Sequence, residues 1–352
     1  MRGQVLTCLL WTLGSKALLT PVRQPLVGLS PLIPAEPAGE IEEVRAKELL
    51  KAVSSIQVKV PTFISPSGIV ETSFALFKSG SGKNVPKGIM EISFALFKSG
   101  SGKKKAPIVM LHGFDSSCLE YRRLAPLLAE GGDRDVIIPD LLGWGFTRPP
   151  ADILTYGPEA KMEHLRAFIR QVCGNGPVVV VGASLGGALA VLLAAQTPQM
   201  VEKVVLIDAQ GFIDGKGPSN LPVPLARLGV NVLKSSPLRM FANILAYSDK
   251  KFATLDAMRV GKLHCYTQCW EDASINFLLS GGFSPSSWVD KVTQQTLLLW
   301  GRNDEILEPK TAEKFVETMP RCTLKWVEDC GHVPHLEKPE LTSETVLEFL
   351  KN

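Results

Sequence analysis

A serine lies at the centre of the pentapeptide Gly182-Ala183-Ser184-Leu185-Gly186, which directly follows four valines. A G-x-S-x-G sequence between a strand and a helix is typical of a nucleophile elbow, a sharp turn that presents the serine hydroxyl. The two glycines leave room for the strand and the helix to pack closely. A serine placed in this way predicts attack on an acyl carbon, if a base, an orienting acid and an oxyanion hole accompany it.

Five histidines are candidates for the base: His112, His164, His264, His332 and His335. His332 follows Gly331 and precedes Pro334, which predicts a loop just after a strand-like segment. His164 falls in a charged helical run, where we expect it on a solvated helix face. The sequence therefore favours His332.

His264 precedes Cys265 and lies near Cys269, which raises the question of a metal site. A structural zinc site needs four ligands, and a fourth is missing from this part of the sequence. We expect these residues to fill apolar surroundings, and we expect neither a metal nor a cofactor.

Two aspartates are candidates for the acid that orients the base. Asp304 follows the strand-like segment 296–300, and Asp208 follows the strand-like segment 204–207. A carboxylate at the end of a buried strand can hold an imidazole in one tautomer.

A third strand-like segment, 107–111, ends in His112-Gly113-Phe114. Main-chain N–H groups in this turn and at Leu185 are candidates for an oxyanion hole. We expect His112 to support the turn and not to act as the base.

The elements that must position these residues alternate between strand and helix. Strands are expected near residues 57–63, 72–78 or 92–98, 107–111, 135–139, 177–182, 203–208, 295–300 and 322–328, and helices near residues 120–130, 158–173, 185–197, 310–318 and 339–350. The alternation predicts an α/β fold with a mostly parallel eight-stranded sheet and helices on both faces. The uncharged stretch 177–195 is predicted to form a strand, a turn and a helix, and not a membrane span.

The motifs together resemble the α/β-hydrolase superfamily, in its esterase, epoxide-hydrolase and carbon–carbon-hydrolase branch. The resemblance covers about residues 55–352 and rests on segments in the family's order: 112–114, 140–145, 182–187, 300–304 and 331–339. It implies that Ser184 attacks a carbonyl carbon, that His332 transfers the proton and that Asp304 orients His332. It also implies that the N–H groups of Phe114 and Leu185 form the oxyanion hole, and that the more than eighty residues between Asp208 and the strand at 295 form a helical cap.

Departures from the family patterns narrow the reaction. Epoxide hydrolases and haloalkane dehalogenases carry Asp at the position of Ser184, so both activities are disfavoured. Typical carbon–carbon hydrolases carry Trp where this chain has Val333. The spacing from Asp304 to Pro309 is one residue longer than is common in the family.

The N-terminal region has the composition of a leader. Residues 1–35 contain no Asp or Glu but carry basic, hydroxyl and apolar side chains, as organelle transit peptides do. A similarity to plant and algal plastid-type members favours the chloroplast, with the cytosol, the mitochondrion and secretion as alternatives. Segments 71–83 and 91–103 are nearly identical and form a 20-residue duplication. Only one of the two copies can occupy a given strand position in the sheet.

Composition and charge bear on the partners of the protein. The 352 residues are 45% hydrophobic and carry a formal net charge of +3, and so weak a charge does not favour a nucleic acid partner. Seven unclustered cysteines favour free thiols over a disulfide framework.

The expected division is a leader (1–45), a first core part (46–211), a cap (212–289) and a second core part (290–352). We expect a serine hydrolase, a carboxylic ester hydrolase, acting on a small or medium-sized apolar substrate. The alternatives are a ligand receptor with little turnover and a membrane-associated lipase.

Overall fold

A single sheet of eight strands forms the centre of the protein. The computed structural model describes residues 28–80, 105–216 and 219–351. The strand order is β1-β2-β4-β3-β5-β6-β7-β8, and the strands are β1 (Ser54–Lys59), β2 (Ile69–Phe77), β3 (Ile108–Leu111), β4 (Val136–Pro139), β5 (Val178–Ala183), β6 (Val201–Ile207), β7 (Gln295–Gly301) and β8 (Cys322–Val327). β2 is antiparallel to both of its neighbours, and all other pairs are parallel. The predicted fold class is confirmed, although β1 and β2 each begin three residues earlier than expected.

Helices cover both faces of this sheet. They are α1 (Ala35–Gly39), α2 (Val44–Ala52), α3 (Leu124–Gly131), α4 (Pro158–Cys173), α5 (Leu185–Gln196), α6 (Val223–Lys234), α7 (Ser236–Ala246), α8 (Leu255–Lys262), α9 (Trp270–Ser280), α10 (Lys310–Thr318), α11 (Pro334–Glu337) and α12 (Pro339–Lys351). Within the described residues, every helix is too short or too polar to cross a bilayer.

The four valines of β5 explain why the sheet is buried on both sides. Val178 and Val180 belong to one hydrophobic cluster, whereas Val179 and Val181 belong to the cluster on the opposite face. Successive side chains of a strand point to opposite faces, so a parallel strand between two helical layers needs apolar residues at every position. The run predicted as a strand, a turn and a helix therefore has that structure.

Four α-helices, α6 to α9, are inserted between β6 and β7. We use the word cap for residues 212–289. The cap also contacts the N-terminal segment, because the Asp256 carboxylate accepts hydrogen bonds from the N–H groups of Glu42 and Glu43, both at 2.7 Å.

Residues 28–45 belong to the folded domain. Leu32, Ile33, Ala38 and Ile41 are buried in the cluster that α2 and α3 also join. The last part of the expected leader, residues 28–45, thus packs against the core. The first copy of the duplication supplies β2, whereas the second copy, 91–103, lies outside the described residues.

The expectation of a solvated face at His164 is wrong. His164 is buried, and its Nε2 lies 2.7 Å from Thr72 Oγ1. Burial and the charge of Lys161 lower the pKa of His164 to about 3. Neighbouring positions in its helix are charged, so the sequence pattern did not indicate that His164 lies on the inner face.

Lys161 is also buried, without a carboxylate partner among the described residues. Its ammonium group donates a hydrogen bond to Leu142 O and lies 3.8 Å from the centre of the Trp144 ring. Burial lowers the pKa of Lys161 to about 7, because a low-dielectric site disfavours the charged form.

We expect Lys161→Met to stabilise the protein by about 2 kcal/mol at pH 6, because the buried charge is removed. Because the pKa of Lys161 is lowered, its buried charge destabilises the wild type fully below about pH 7 and not at all above the ordinary Lys pKa of 10.5. The gain should therefore shrink as the pH rises from 7 to 10. Urea unfolding at a series of pH values tests this, and a variant less stable than the wild type at pH 6 would contradict it.

Candidate active site

The candidate residues lie at one edge of the sheet. His112, Ser184, Asp208, Asp304 and His332 follow the carboxyl ends of β3, β5, β6, β7 and β8, in that order. Because these strands are parallel, their carboxyl ends meet at the same edge. The chain reverses its direction of travel across the sheet at β3, and a crevice at such a point is where open α/β sheets bind ligands.

The turn at Ser184 is strained. Ser184 has φ 50° and ψ −120°, a conformation that costs about 1–3 kcal/mol for a residue with a Cβ. Hydrogen bonds hold it: Ser184 N donates to Ile207 O at 3.0 Å, and Gln210 N donates to Ser184 O at 2.8 Å. The turn therefore has the geometry of a nucleophile elbow.

The glycines on either side of Ser184 allow this turn to pack tightly. A Cβ at Gly182 would overlap the carbonyl of Gly186, and a Cβ at Gly186 would overlap the carbonyl of Leu111. At Gly182 strand β5 approaches helix α5, and at Gly186 helix α5 approaches the end of β3, in both places more closely than a side chain would permit.

His332 and Asp304 form a buried pair. His332 Nδ1 donates to Asp304 Oδ2 at 2.7 Å, and the other oxygen of Asp304 accepts the N–H groups of Ile306 and Leu307 at 2.7 and 3.0 Å. Three donors thus fix the Asp304 carboxylate. An imidazole that donates through Nδ1 has Nε2 available to accept a proton.

Asp208 lies beside this pair but has another contact. Its Oδ1 accepts the N–H of Gly301 at 2.9 Å. Burial and the neighbouring charge of Asp304 raise the pKa of Asp208, which favours its neutral form. Of the two candidate acids, the structure brings Asp304 into hydrogen-bond contact with His332.

The turn after β3 lies against Ser184. A Cβ at Gly113 would lie 3.3 Å from Ser184 Cβ, and within the described part of the chain no acceptor pairs with the N–H of Phe114. Leu185 is the first residue of α5, so its N–H has no acceptor within the helix. The two N–H groups are therefore free for an oxyanion.

His112 supports this turn, as expected. Its Nδ1 lies 2.9 Å from Gly113 O, and its Nε2 accepts the N–H of Leu141 at 3.1 Å. The two contacts leave neither nitrogen free, which fits a structural role.

Asp115 ties the oxyanion turn to the cap, a role that the sequence motifs did not indicate. Its Oδ1 accepts from His264 Nε2 at 2.9 Å and Trp270 Nε1 at 2.6 Å, and Arg239 contacts its Oδ2. Burial alone would raise the pKa of Asp115, but these partners hold that pKa well below its usual range. A charged residue directly after the Gly113-Phe114 turn was the available signal.

Glu337 makes a similar tie at the histidine loop. Its carboxylate accepts the N–H groups of Gly331 at 2.9 Å, Ser248 at 3.0 Å and Asp249 at 2.7 Å. His332 N also donates to Ala246 O at 2.8 Å. Both the oxyanion turn and the histidine loop are thus bonded to the cap.

Two groups of side chains have the composition of a metal site: Asp208, Asp304 and His332, and Asp115, His264 and Cys265. In the first group, Asp304 and His332 already bond to each other. In the second, Asp115 is saturated by cationic and N–H donors. The six described cysteines are all free. Neither group presents a set of unengaged ligands.

Aromatic rings line one side of the oxyanion turn. Phe114 packs edge-on against Trp144 with ring centres 5.3 Å apart, and Phe277 packs against Trp144 at 5.0 Å. Trp144 is fully buried, whereas Phe114 is 47% exposed. Phe114 is thus the ring that can contact an apolar group at this turn, with Trp144 and Phe277 packed behind it.

Comparison with known proteins gives consistent results. The sequence model of the alpha/beta hydrolase family matches residues 108–345. The "Alpha/beta hydrolase domain-containing protein VTE7" of Arabidopsis thaliana is 37% identical over 255 residues, which are 70% of this chain and 74% of that protein. "Lipase 1" of Psychrobacter immobilis is 27% identical, over 69% of this chain and 76% of the lipase.

A solved structure shows the same fold. The thermophilic esterase from Thermogutta terrifontis superposes with a TM-score of 0.64 at 18% identity, over 85% of this chain and 98% of the esterase. At this identity the likeness concerns the fold alone.

We expect Asp115→Asn to lower the free energy of unfolding by about 3 kcal/mol, because buried His264 and half-buried Arg239 lose their counter-ion. Burial opposes the charged form of His264, but Cys265 and Asp115 outweigh it and raise the His264 pKa from 6.5 to about 9. The stabilisation from protonated His264 is therefore full below pH 6.5 and is lost as the pH rises through 9. The difference between wild type and variant in urea unfolding should shrink over that range.

Asp256→Asn is the matched control for this prediction. It weakens another contact between the cap and the rest of the fold, but one without a histidine. Its effect on unfolding should not vary between pH 6.5 and 9. An Asp115→Asn effect that is equally flat would show that His264 does not carry the charge.

Proposed function

The chain belongs to the alpha/beta hydrolase family, and from this we propose that it is a serine hydrolase acting on an ester or related acyl bond. The observation that carries the proposal is the buried pair of His332 and Asp304, 2.7 Å apart, at the sheet edge where the strained turn presents Ser184. A base held by an acid near a serine hydroxyl is the arrangement that activates the serine.

The reaction has two halves in this proposal. Ser184 Oγ attacks the carbonyl carbon while His332 Nε2 takes the hydroxyl proton, and the same imidazolium then protonates the leaving alcohol as the ester bond breaks. A water molecule gives a proton to His332 and attacks the acyl carbon of the resulting ester of Ser184. Collapse returns the proton to Ser184 and releases the carboxylic acid.

The carbonyl oxygen gains charge in each tetrahedral intermediate. The N–H groups of Phe114 and Leu185 are the donors that we propose for this oxyanion. The loss of one such donor in serine hydrolases costs about 100-fold to 1,000-fold in kcat. The position of α5 adds the positive end of the helix dipole behind Ser184.

The proposed substrate class rests on the aromatic rings at the oxyanion turn and on the relatives. The exposed ring of Phe114, backed by Trp144 and Phe277, favours an apolar acyl group, and we propose one of small or medium size. A lipase is among the relatives, and so is a 2-hydroxy-6-oxo-6-(2'-aminophenyl)hexa-2,4-dienoic acid hydrolase, which is 27% identical. Val333 stands where typical carbon–carbon hydrolases carry Trp, so we propose ester cleavage.

We further propose that the protein works in a plastid. The support is the acid-free composition of residues 1–35 and the similarity to an Arabidopsis protein. A fusion of residues 1–45 to a fluorescent protein, imaged in plant cells, should mark plastids. Fluorescence spread through the cytosol would overturn this part of the proposal.

A fluorophosphonate probe should label the folded protein at Ser184, because this probe reacts only with an activated serine. The modified peptide is identified by mass spectrometry, with Ser184→Ala as the control. Absence of labelling in protein that unfolds cooperatively would contradict the hydrolase and would favour a ligand receptor with little turnover.

The two candidate acids are distinguished by the same substitution in each. Asp304→Asn should lower kcat by about 10,000-fold, because it favours the wrong tautomer of His332. Asp208→Asn keeps an acceptor for the N–H of Gly301, so kcat should change less than about tenfold. Ester hydrolysis by both variants tests the assignment, and a larger loss at Asp208 would reverse it.

A further inference from the structure

The carboxylate of Glu120 lies against the oxyanion turn. Its Oε2 accepts the N–H of Gly113 at 2.9 Å, and only 12% of its side chain is exposed. A Cβ at Gly113 would lie 3.5 Å from each Glu120 oxygen and 3.3 Å from Ser184 Cβ. The carboxylate and the serine therefore border the same glycine. The proposed reaction makes no use of this largely buried charge.

The bond from Gly113 to Glu120 is one of two anchors that set the direction of the Phe114 N–H. A trans peptide unit points its C=O and its N–H in opposite directions, and the described chain has no cis peptide bond. The unit that carries the Phe114 N–H also carries Gly113 O, which accepts a hydrogen bond from His112 Nδ1 at 2.9 Å. The preceding unit carries the N–H that Glu120 accepts. His112 and Glu120 thus hold two successive peptide planes.

The glycine makes this turn dependent on such contacts. Glycine has little intrinsic preference among backbone conformations, so both of its peptide planes need partners to keep one direction. Without the Glu120 carboxylate, the Gly113 N–H would be a buried donor that lacks an acceptor among the described residues. An unsatisfied buried donor is unfavourable, and rotation of the peptide plane would relieve it. The direction of the Phe114 N–H would then be lost.

A residue of the histidine loop contacts the other oxygen of this carboxylate. His335 Nε2 lies 3.5 Å from Glu120 Oε1, and the His335 ring is buried against Tyr121. Neither ring nitrogen of His335 has a hydrogen bond of ordinary geometry within the described part of the chain. A buried polar ring in this state calls for an explanation, and the charge of Glu120 supplies one. Burial alone would raise the pKa of Glu120, but His335 and then His112 hold that pKa below its ordinary value.

The contact between Glu120 and His335 joins the two loops directly. His335 comes three residues after His332 in the chain. Asp115 and Glu337 bond their loops to the cap, whereas this contact runs from the oxyanion turn to the histidine loop without the cap. Its geometry therefore bears on the position of the oxyanion donors relative to the base.

We propose that Glu120 is a positioning residue of the oxyanion hole. It directs the Phe114 N–H through Gly113, and His335 keeps it in register with the histidine loop. This inference rests on the proposed function and adds to it a second pair of carboxylate and histidine, one that touches no substrate. The effect of the pair appears when the carbonyl oxygen becomes negative, because only then is the direction of the donor decisive.

Steady-state hydrolysis of p-nitrophenyl butyrate by the full chain tests the proposal. Glu120→Ala should lower kcat and kcat/KM together by about tenfold to 100-fold, less than the loss of a whole donor. An equal fall in both constants marks an interaction made only in the transition state. Glu120→Gln keeps an oxygen acceptor for the Gly113 N–H and should remain within about fivefold of the wild type. A rise in KM alone, or equal losses in the two variants, would contradict a positioning role.

A short alkyl trifluoromethyl ketone gives a second readout, one that a loss of stability alone would not change. Ser184 Oγ adds to the ketone carbon while His332 takes the hydroxyl proton, and the adduct keeps its negative oxygen because it has no leaving group. The inhibition constant should rise in Glu120→Ala by the factor by which kcat falls, and Glu120→Gln should restore it. Equally tight inhibition of Glu120→Ala and the wild type would overturn the proposal.

Glu43→Ala and Glu43→Gln are the matched controls. The Glu43 carboxylate accepts from Arg122 Nε and Arg123 Nε, both at 2.7 Å, so it bonds to the same segment as Glu120 but not to the oxyanion turn. Both controls should leave kcat and the inhibition constant unchanged, whatever their stability. A loss at Glu43 as large as that at Glu120 would overturn the proposal, because it would be an effect of any carboxylate bonded to this segment.

His335→Asn removes the contact to the histidine loop and leaves the Gly113 N–H its acceptor. It should lower kcat about threefold to tenfold without changing KM, and it decides the question if Glu120→Ala does not unfold cooperatively. Unchanged kinetics in His335→Asn would refute the link between the loops.

Fluorophosphonate labelling of Ser184 separates this proposal from the hydrolase itself. A folded wild type that is not labelled would refute the hydrolase. Normal labelling of the wild type together with unchanged kinetics in the Glu120 and His335 variants would refute the positioning role alone.

Discussion

The strained turn at Ser184 is the constraint on which the rest of the site depends. An energetically unfavourable backbone persists only where its surroundings over-determine it, and here β6 and the close approach of β5 and α5 do so. Both glycines are required, since any side chain would collide with a carbonyl. The buried core on both faces of the sheet thus stabilises a turn that would relax in isolation, and the turn in return places the hydroxyl at the sheet edge.

The loops around the serine are held by carboxylates that accept backbone and side-chain donors. Asp304 fixes His332, Glu337 fixes the histidine loop, and Asp115 fixes the oxyanion turn. The last two also bond to the cap. The cap is therefore part of the framework that sets the geometry of the site.

Much of this architecture was predictable from the sequence, because the central strands β3, β4 and β5 are buried on both faces and are unbroken apolar runs. The valines of β5 and the elbow glycines predicted strand, turn and helix to within a residue. Residues whose partners are distant in sequence were not predictable. His164 looked solvated because its neighbours are charged, and Asp115 has partners more than a hundred residues away. The choice of Asp304 over Asp208 is different, because the family resemblance already implied it, and it is Asp304 that bonds to His332.

The central claim is that Ser184 forms a covalent acyl intermediate. It is tested most directly by rapid quenching of the protein during hydrolysis of a p-nitrophenyl ester, followed by intact-mass and peptide analysis. The account predicts a transient mass increase equal to one acyl group, located on Ser184 and formed with a burst of nitrophenol. Steady hydrolysis without an adduct, or an acyl group on another residue, would contradict it.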